Sequence, residues 1–518
     1  MANRRGPFAV TTGYARIDFR WKRQCYSRAM AKTRRSLDLS FAPASAGQPR
    51  SVWLYGELRA AILDGRLSSS TRLPSTRDLA RQYRVSRGTA VATFERLKSE
   101  GYLTSRVGAG TFVAENVRPR RTPIPVAATP PAYIGRAEAE YRVPKKLVGM
   151  RRLEPLRPFR MGDIDLRAFP SRLWGSMVSR RARVSTSWSL TEVDPLGYRP
   201  LREAIADYLG SSRGVTCTAD QVIIVTSTQQ ALDLLARLLV RPGKKVWMED
   251  PGYFGARVAF ETVDAKIVPV PVDGEGMCVE HGEQTGEDAV GAYVTPAHQF
   301  PMGPVMSVGR RAKLLEWASR AGAFVIEDDY DSEFRFEGRP IPALMGMDRN
   351  SNVILVGSFS KLMFPTLRIG YIVAPVALAK LVGTFRLRTD FRPMYFEQAV
   401  LADFIERGHL SRHLHKMREL YAGRLSVLSK AVQEYLSGIV EVRNHHCGLY
   451  TAAMLKNGMR SADAEALATE AGVETLSLDR FTFSAPDPRG LLLGFAAFNG
   501  LEMRDGVRRL ARALETAR

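Results

Sequence analysis

Short runs of β-branched and apolar residues, each followed by an amphipathic stretch, recur through the C-terminal three-quarters of this chain. QVIIVT precedes ALDLLARLLV, KKVWMED precedes the segment after Tyr253, GAYVTP precedes RRAKLLEWASRAG, and AFVIEDD and VILVGS follow. Strands of this kind are buried on both faces and need helical crossovers, so the alternation predicts an α/β domain with a mainly parallel sheet. In such sheets ligands gather beyond the carboxyl ends of the strands. The residues of this chain that can carry chemistry fall at those ends.

The front of the chain has a different texture. Of the formal net charge of +22, residues 1–121 hold 24 Lys and Arg against 8 Asp and Glu, so +16 sits in the first quarter. Concentrated basic charge neutralises phosphates. The stretch VWLYGELRAAIL (52–63) has helical apolar spacing and ends at Asp64-Gly65. In LPSTRDLARQY, Ser75 is an N-cap for a helix from Thr76 to Tyr83, with Asp78 in its first turn. Ser86 caps the next helix, in which Ala90, Val91, Phe94 and Leu97 are expected on one face and Gly101 is the stop. A pair of helices joined by so short a turn, the second presenting Arg87 and Thr89 first, lowers a helix N-terminus into the DNA major groove. The segment YLTSRVGAGTFV then alternates as a hairpin, with Gly108 and Gly110 at its tip and Arg106 beside them.

Through LPSTRDLA, VSRGTA, LKSEGYL and RVGAGTFV, residues 50–113 resemble the winged helix-turn-helix of the GntR superfamily. The resemblance implies a double-stranded DNA operator as partner, touched by Ser75, Arg77, Ser86, Arg87, Thr89, Arg106 and Gly108. The chemistry agrees, because an arginine holds phosphate or forks onto a guanine edge and a glycine tip lets the wing backbone approach.

Residues 1–36 read as a disordered basic extension, or as lying largely before a start at Met30, since the folded-looking pattern begins near Ser36. The DNA-binding domain is expected over 37–113, a Pro-rich linker over 114–157, and the effector domain over 158–518. The four cysteines form no CxxC pair, which argues against a disulfide framework or a zinc site. No stretch approaches the about 18 apolar residues of a membrane span, and no secretory apolar core opens the chain, so a cytoplasmic protein without a membrane partner is expected. His409 and His413 stand four apart on a helical pattern with no third ligand, so no metal is expected.

Three constellations mark the strand ends. VILVG runs into Ser358-Phe359-Ser360-Lys361, with Arg368 seven residues on. An amine for a Schiff base beside phosphate donors suits an aldehyde cofactor with a phosphate tail. AFVIEDDYD ends a strand with Glu327, Asp328, Asp329 and Tyr330, where a carboxylate can keep a pyridine nitrogen protonated and a phenol can bond a ring oxygen. QVIIVTSTQQAL is strand, hydroxyl turn (Thr226, Ser227, Thr228) and helix, which puts backbone N–H groups where a phosphate can bind.

With DPLGYRPLREAI, EDPGYFGAR, VTPAHQFPMG, EDDYDSEFRF and SFSKLMFPTLRIGY, the chain from Pro158 onward is similar to fold-type I aminotransferases, which use pyridoxal 5'-phosphate. With the front domain attached it resembles the MocR/GabR family of regulators. The resemblance implies a small C-terminal α/β subdomain and a homodimer. It also implies an internal aldimine at Lys361, Asp328 on the pyridine nitrogen, Tyr330 on the ring oxygen and Tyr253 stacked on the ring. Ser358, Ser360 and Arg368 would surround the phosphate, with Tyr198 reaching it from the second subunit. Two departures stand out. Ser227 occupies a place where glycine is usual, which predicts weaker cofactor affinity. The arginine that clamps a substrate carboxylate has no counterpart in RGLLLGFAAFN beyond Arg489, leaving Arg257 as the effector-binding candidate. The expected function is a pyridoxal-phosphate-dependent transcription regulator that senses an amine, an amino acid or the cofactor through aldimine chemistry at Lys361. An active aminotransferase with a tethering or autoregulatory DNA-binding domain is the alternative, and residual transaminase activity stays open because Lys361 and Asp328 are both present.

Overall fold

In a computed structural model the chain forms two compact units, Met1–Val143 and Pro144–Arg518. The structure describes residues 41–117, 134, 157–184 and 194–515, save 46, 107, 116, 339, 340, 391–393, 444–446 and 457. The basic extension expected over 1–36 lies outside the described residues, as does the expected linker apart from residues 114, 115, 117, 134 and 157.

The first unit contains helices α1 (Arg50–Leu63), α2 (Thr76–Gln82) and α3 (Arg87–Ser99) and a hairpin of β1 (Leu103–Arg106) and β2 (Gly110–Val113). Helix α1 begins two residues before the expected start, with Pro49 at its N-cap already at φ −57°. Ser75 and Ser86 cap as expected: their hydroxyl oxygens accept the backbone N–H of Asp78 at 3.2 Å and of Thr89 at 3.0 Å. One expectation for α3 fails. Ala90, Thr93, Phe94 and Leu97 are the buried residues, and Val91 is 39% exposed. The helical stripe runs i, i+3, i+4, i+7, and Val91 falls one step off it.

The second unit is built on an eight-stranded sheet. Its strands are β3 (Val222–Val225), β4 (Lys245–Asp250), β5 (Lys266–Asp273), β6 (Gly276–Met277), β7 (Gly291–Val294), β8 (Phe324–Asp329), β9 (Val353–Ser358) and β10 (Gly370–Val373). The spatial order is β3-β10-β9-β8-β7-β4-β5-β6. Strands β5, β4, β7, β8 and β9 pair in parallel, and β10 runs antiparallel between β3 and β9. Every residue of β3, β7 and β9 is buried, the mark of a sheet covered on both faces. A second sheet of β11 (Val440–Val442), β12 (Tyr450–Leu455), β13 (Leu476–Ser477) and β14 (Gly490–Gly494) is antiparallel, in the order β11-β12-β14-β13. The small α/β subdomain expected at the C-terminus is therefore present.

Local sequence explains the seating of helix α4 (Arg199–Arg213) beside β3. Arg202 is buried and ion-paired with Asp194, and it donates to the carbonyls of Gly197 at 3.1 Å and Ala219 at 2.9 Å. Gly197 holds φ +103°, and a Cβ there would lie 2.6 Å from Ile224. Next along the sheet, β3 turns into helix α5 (Thr228–Leu239) through Thr226 and Ser227. Ser227 has φ −173°, extended backbone that needs no glycine, and its hydroxyl accepts the Gln230 N–H at 3.1 Å. The serine that departs from the usual glycine is thus the helix N-cap. Ser227→Ala is expected to lower the unfolding free energy by about 1 kcal/mol and Ser227→Gly by only a few tenths, measured by denaturant titration of tryptophan fluorescence. Equal losses would contradict the cap assignment.

Candidate functional site

Strand alternation sorts the acidic cluster at the end of β8. Successive side chains point to opposite faces, so Glu327 and Asp329 go one way and Asp328 the other. On the first face, Glu327 accepts the backbone N–H groups of Leu344 at 2.7 Å and Met345 at 2.9 Å, and Asp329 pairs with Arg213 at 2.7 Å. On the second, one oxygen of Asp328 accepts the Tyr293 hydroxyl at 2.7 Å, while its Oδ1 is buried without a hydrogen-bond partner among the described residues. Burial pushes the Asp328 carboxyl up to about 7, against the Tyr293 hydrogen bond. Tyr253, which follows β4, lies with its ring 6.5 Å from that of Tyr293, and burial together with the Asp328 charge pushes its phenol up to about 12.

Lys361 sits just past β9. Its Nζ donates to the carbonyl of Gly162 at 2.9 Å, and a Cβ on Gly162, whose φ is +81°, would come within 2.7 Å of that nitrogen. Burial lowers the Lys361 pKa, with Asp163 and Asp331 acting in the opposite sense. Asp163 in turn has a buried Oδ2 that accepts no hydrogen bond among the described residues and lies 3.9 Å from Arg160 Nε. Sequence reasoning missed Gly162 and Asp163. They lie about two hundred positions from the lysine, and only the FRMGDID segment, with its glycine between polar residues, hinted at a close approach.

The expected phosphate end forms a braced turn. Ser358 is buried and its hydroxyl accepts the Ser360 N–H at 3.2 Å. Thr226 donates its N–H at 2.7 Å and its hydroxyl at 3.0 Å to the Gln230 side-chain carbonyl. Gln230 donates to Asp390 at 2.9 Å, Asp390 pairs with Arg386 at 2.7 Å, and Arg386 donates to the Ile224 carbonyl at 2.7 Å. Arg368, at φ +53°, lines a shallow pocket with Thr226, Arg386 and Gln398. Thr228 opens α5, whose first N–H groups have no intrahelical acceptor. Together these groups offer an anion backbone donors, hydroxyls and one exposed guanidinium. The Arg386–Asp390–Gln230 brace went unforeseen, its members being scattered over 160 residues.

Three expected residues have other partners in this chain. Tyr330 donates its hydroxyl to the His298 carbonyl at 2.8 Å and lies 2.7 Å from the Tyr450 hydroxyl. Arg257 pairs with Glu261 at 2.6 Å and lies over the Phe483 ring. Tyr198, at the N-cap of α4, packs its ring edge-on against Tyr395 at 4.7 Å and stands 3.4 Å from Arg181. His413 is buried against the Leu362 carbonyl, and the described residues contain no cluster able to hold a metal. None of the described helices is long and apolar enough to cross a membrane.

In the first unit the two serine caps align α2 and α3, leaving Arg77 and Arg87 exposed in their first turns. The hydroxyls of Ser86 and Thr89 lie 2.8 Å apart, so both already belong to the cap. At the wing, Gly108 has φ +75° with open space around it, and Arg106 pairs with Glu115 at 3.1 Å across the surface. Exposed pairs of this kind yield readily to a phosphate. Arg72, outside the expected set, lies against Gly110, whose Cβ position is 3.0 Å from its Nε.

Comparison with known proteins follows this division. Residues 51–113 match the family of bacterial regulatory proteins of the gntR type, and residues 189–508 match aminotransferase class I and II. The chain is 38% identical to the probable rhizopine catabolism regulatory protein MocR of Rhizobium meliloti, over 90% of this chain and 94% of that protein. It is 30% identical to the HTH-type transcriptional regulator TauR of Rhodobacter capsulatus, over 88% and 94% of the two chains. Among solved structures, the kynurenine aminotransferase of Pyrococcus horikoshii in complex with PMP superposes with a TM-score of 0.67 at 26% identity, covering 74% of this chain and 99% of that one. Thermus thermophilus LysN, an α-aminoadipate aminotransferase complexed with N-(5'-phosphopyridoxyl)-L-leucine, gives 0.64 at 26% identity over 69% and 92%. The chain belongs to the MocR type of transcription regulators, in which a gntR-family winged helix-turn-helix is joined to an aminotransferase-like domain of fold type I.

Proposed function

We propose that this regulator holds pyridoxal 5'-phosphate between Lys361, Asp328 and the Thr226–Thr228 turn, acts as a cytoplasmic homodimer on an operator, and is switched by a small amine or amino acid. The observation that carries the cofactor reading is Asp328. Its Oδ1 is buried without a hydrogen-bond partner among the described residues, a state that costs free energy unless a donor arrives. A protonated pyridine nitrogen is such a donor, and Tyr253 supplies an aromatic face beside it.

When bound, the cofactor supplies an aldehyde that a primary amine attacks. Lys361 is suited to be that amine: burial lowers its proton affinity and Gly162 aims its nitrogen. Ser358, Ser360, Arg368 and the first turn of α5 would neutralise the phosphate, with Tyr198 of a second subunit completing the cradle. Ser227 caps α5 and leaves its first N–H groups to the ligand. Arg257 could reach an effector carboxylate only by leaving Glu261, an exchange open to an anionic ligand and not to a plain amine. An effector amine would compete with Lys361 for that aldehyde, and the exchange would regulate DNA only if the two states differ in operator affinity.

DNA is read by Arg77 and Arg87 from helix N-termini aligned by Ser75 and Ser86, with Thr89, Arg106 and Gly108 flanking them. Against DNA selected by the wild-type protein from a random pool, Arg87→Ala should weaken binding by about 1–3 kcal/mol if it contacts a base. Unchanged binding across a salt titration would contradict that role.

The cofactor reading is tested by the absorbance spectrum after adding pyridoxal phosphate. A visible band that borohydride abolishes is expected in the wild-type protein and not in Lys361→Ala. The same band in both proteins, or in neither, would overturn the assignment of Lys361.

A further inference from the structure

The phenol of Tyr330 has a single proton, and in this structure that proton goes to the His298 carbonyl, 2.8 Å away. A carbonyl only accepts, so in the 2.7 Å contact between the Tyr330 and Tyr450 hydroxyls Tyr450 must be the donor. Tyr450 opens β12 of the four-stranded sheet, whereas Tyr330 follows β8 of the eight-stranded one. The pair is therefore a tie between two sheets, at the strand end that also carries Asp328.

Two further features hold the tie in place. His298 is buried, with Nδ1 at 3.0 and 3.1 Å from the two oxygens of Asp331 and 3.2 Å from the Tyr330 hydroxyl. Burial works against a charged imidazole there, but Asp331 outweighs it and holds His298 well above the ordinary histidine value. Gly448, two residues before Tyr450, has φ +83°, and a Cβ on it would lie 2.2 Å from the His298 ring and 2.9 Å from Asp331. The lead into β12 is thus shaped to admit this histidine–aspartate pair. Phe300 closes the surroundings, with its ring edge-on to Tyr253, Tyr330, Tyr450 and Phe481 at 5.0–6.2 Å.

We propose that Tyr450 is a positioning residue for Tyr330, making the seat of the four-stranded sheet sensitive to what Tyr330 bonds at the cofactor site. The inference rests on the pyridoxal-phosphate reading above. The ring oxygen of that cofactor and the His298 carbonyl compete for the same phenolic proton, and Tyr450, donating to the Tyr330 oxygen, makes that proton a better hydrogen-bond donor to either. The groups facing Tyr330 are His298, Asp331, Cys447 and Tyr450, and those acting on Lys361 are Asp163 and Asp331.

The test is a double-mutant cycle on the full-length protein with added pyridoxal phosphate, reading the pH midpoint of the lysine-dependent visible band. A phenol donating to the ring oxygen withdraws negative charge and lowers the proton affinity at Lys361 Nζ. Tyr330→Phe should therefore raise the midpoint by about half to one pH unit. Tyr450→Phe should move it in the same direction, and the double variant should move it no further than Tyr330→Phe alone. A thermal melt of each variant without cofactor confirms that it is folded. If Tyr450→Phe keeps the wild-type midpoint while Tyr330→Phe shifts it, or if the two shifts add, the positioning role is overturned and the cofactor reading stands. If the wild-type protein gives no such band, the cofactor reading fails and this proposal falls with it.

Discussion

Three adjacent carboxylates at the end of one buried strand set the terms for the large unit. An ionised carboxyl taken from water without compensation costs several kcal/mol, so β8 can carry Glu327, Asp328 and Asp329 only if each charge is answered or given up. On one face two backbone N–H groups answer Glu327, and Arg213 is ion-paired with Asp329, whose Oδ1 accepts no hydrogen bond among the described residues. Burial and Asp329 still raise the Glu327 pKa. On the other face Tyr293 answers half of Asp328, and no described residue hydrogen-bonds to the rest. Asp329 thus has a cation against it, whereas Asp328 has a phenol and still wants a donor.

The surrounding structure keeps that vacancy in hydrogen bonding from collapsing. Arg386, Asp390 and Gln230 brace the turn after β3, the Gly162 carbonyl holds Lys361, and the Tyr330–Tyr450 pair joins the second sheet to the strand ends. Rigid supports of this kind hold a ligand-binding constellation to its geometry. The first unit follows a simpler economy, with two serine caps and a small apolar core around Trp53, Leu58, Phe94 and Leu97 fixing the exposed arginines.

How much of this was legible in the sequence depended on how local its cause was. Helix caps, the hairpin, the parallel strands and the order of Lys361, Asp328 and the hydroxyl turn were readable because periodicity and neighbouring residues determine them. Val91 was misplaced because a helical stripe was read one residue too wide. The sorting of Glu327 from Asp328 follows from strand alternation alone, yet it acquires meaning only once Arg213 and Tyr293 are brought to opposite faces. Ser227, which the resemblance marks as a departure from the usual glycine, also caps a helix, which its backbone angle reveals and its identity alone does not. Gly162, Asp163, His298 and Tyr450 reach the site through tertiary contacts across tens to hundreds of residues, so the segments that carry them do not by themselves reveal their partners.

The central claim is that the occupant of Lys361 changes how the protein holds DNA. The direct measurement is operator affinity at fixed salt for wild type and Lys361→Ala, each without cofactor, with pyridoxal phosphate, and with the cofactor plus a panel of primary amines. The account predicts that at least one of these additions changes the wild-type affinity several-fold or more and that Lys361→Ala does not show the same change. Equal affinity of the wild-type protein in every state, despite a lysine-dependent spectrum, would contradict it.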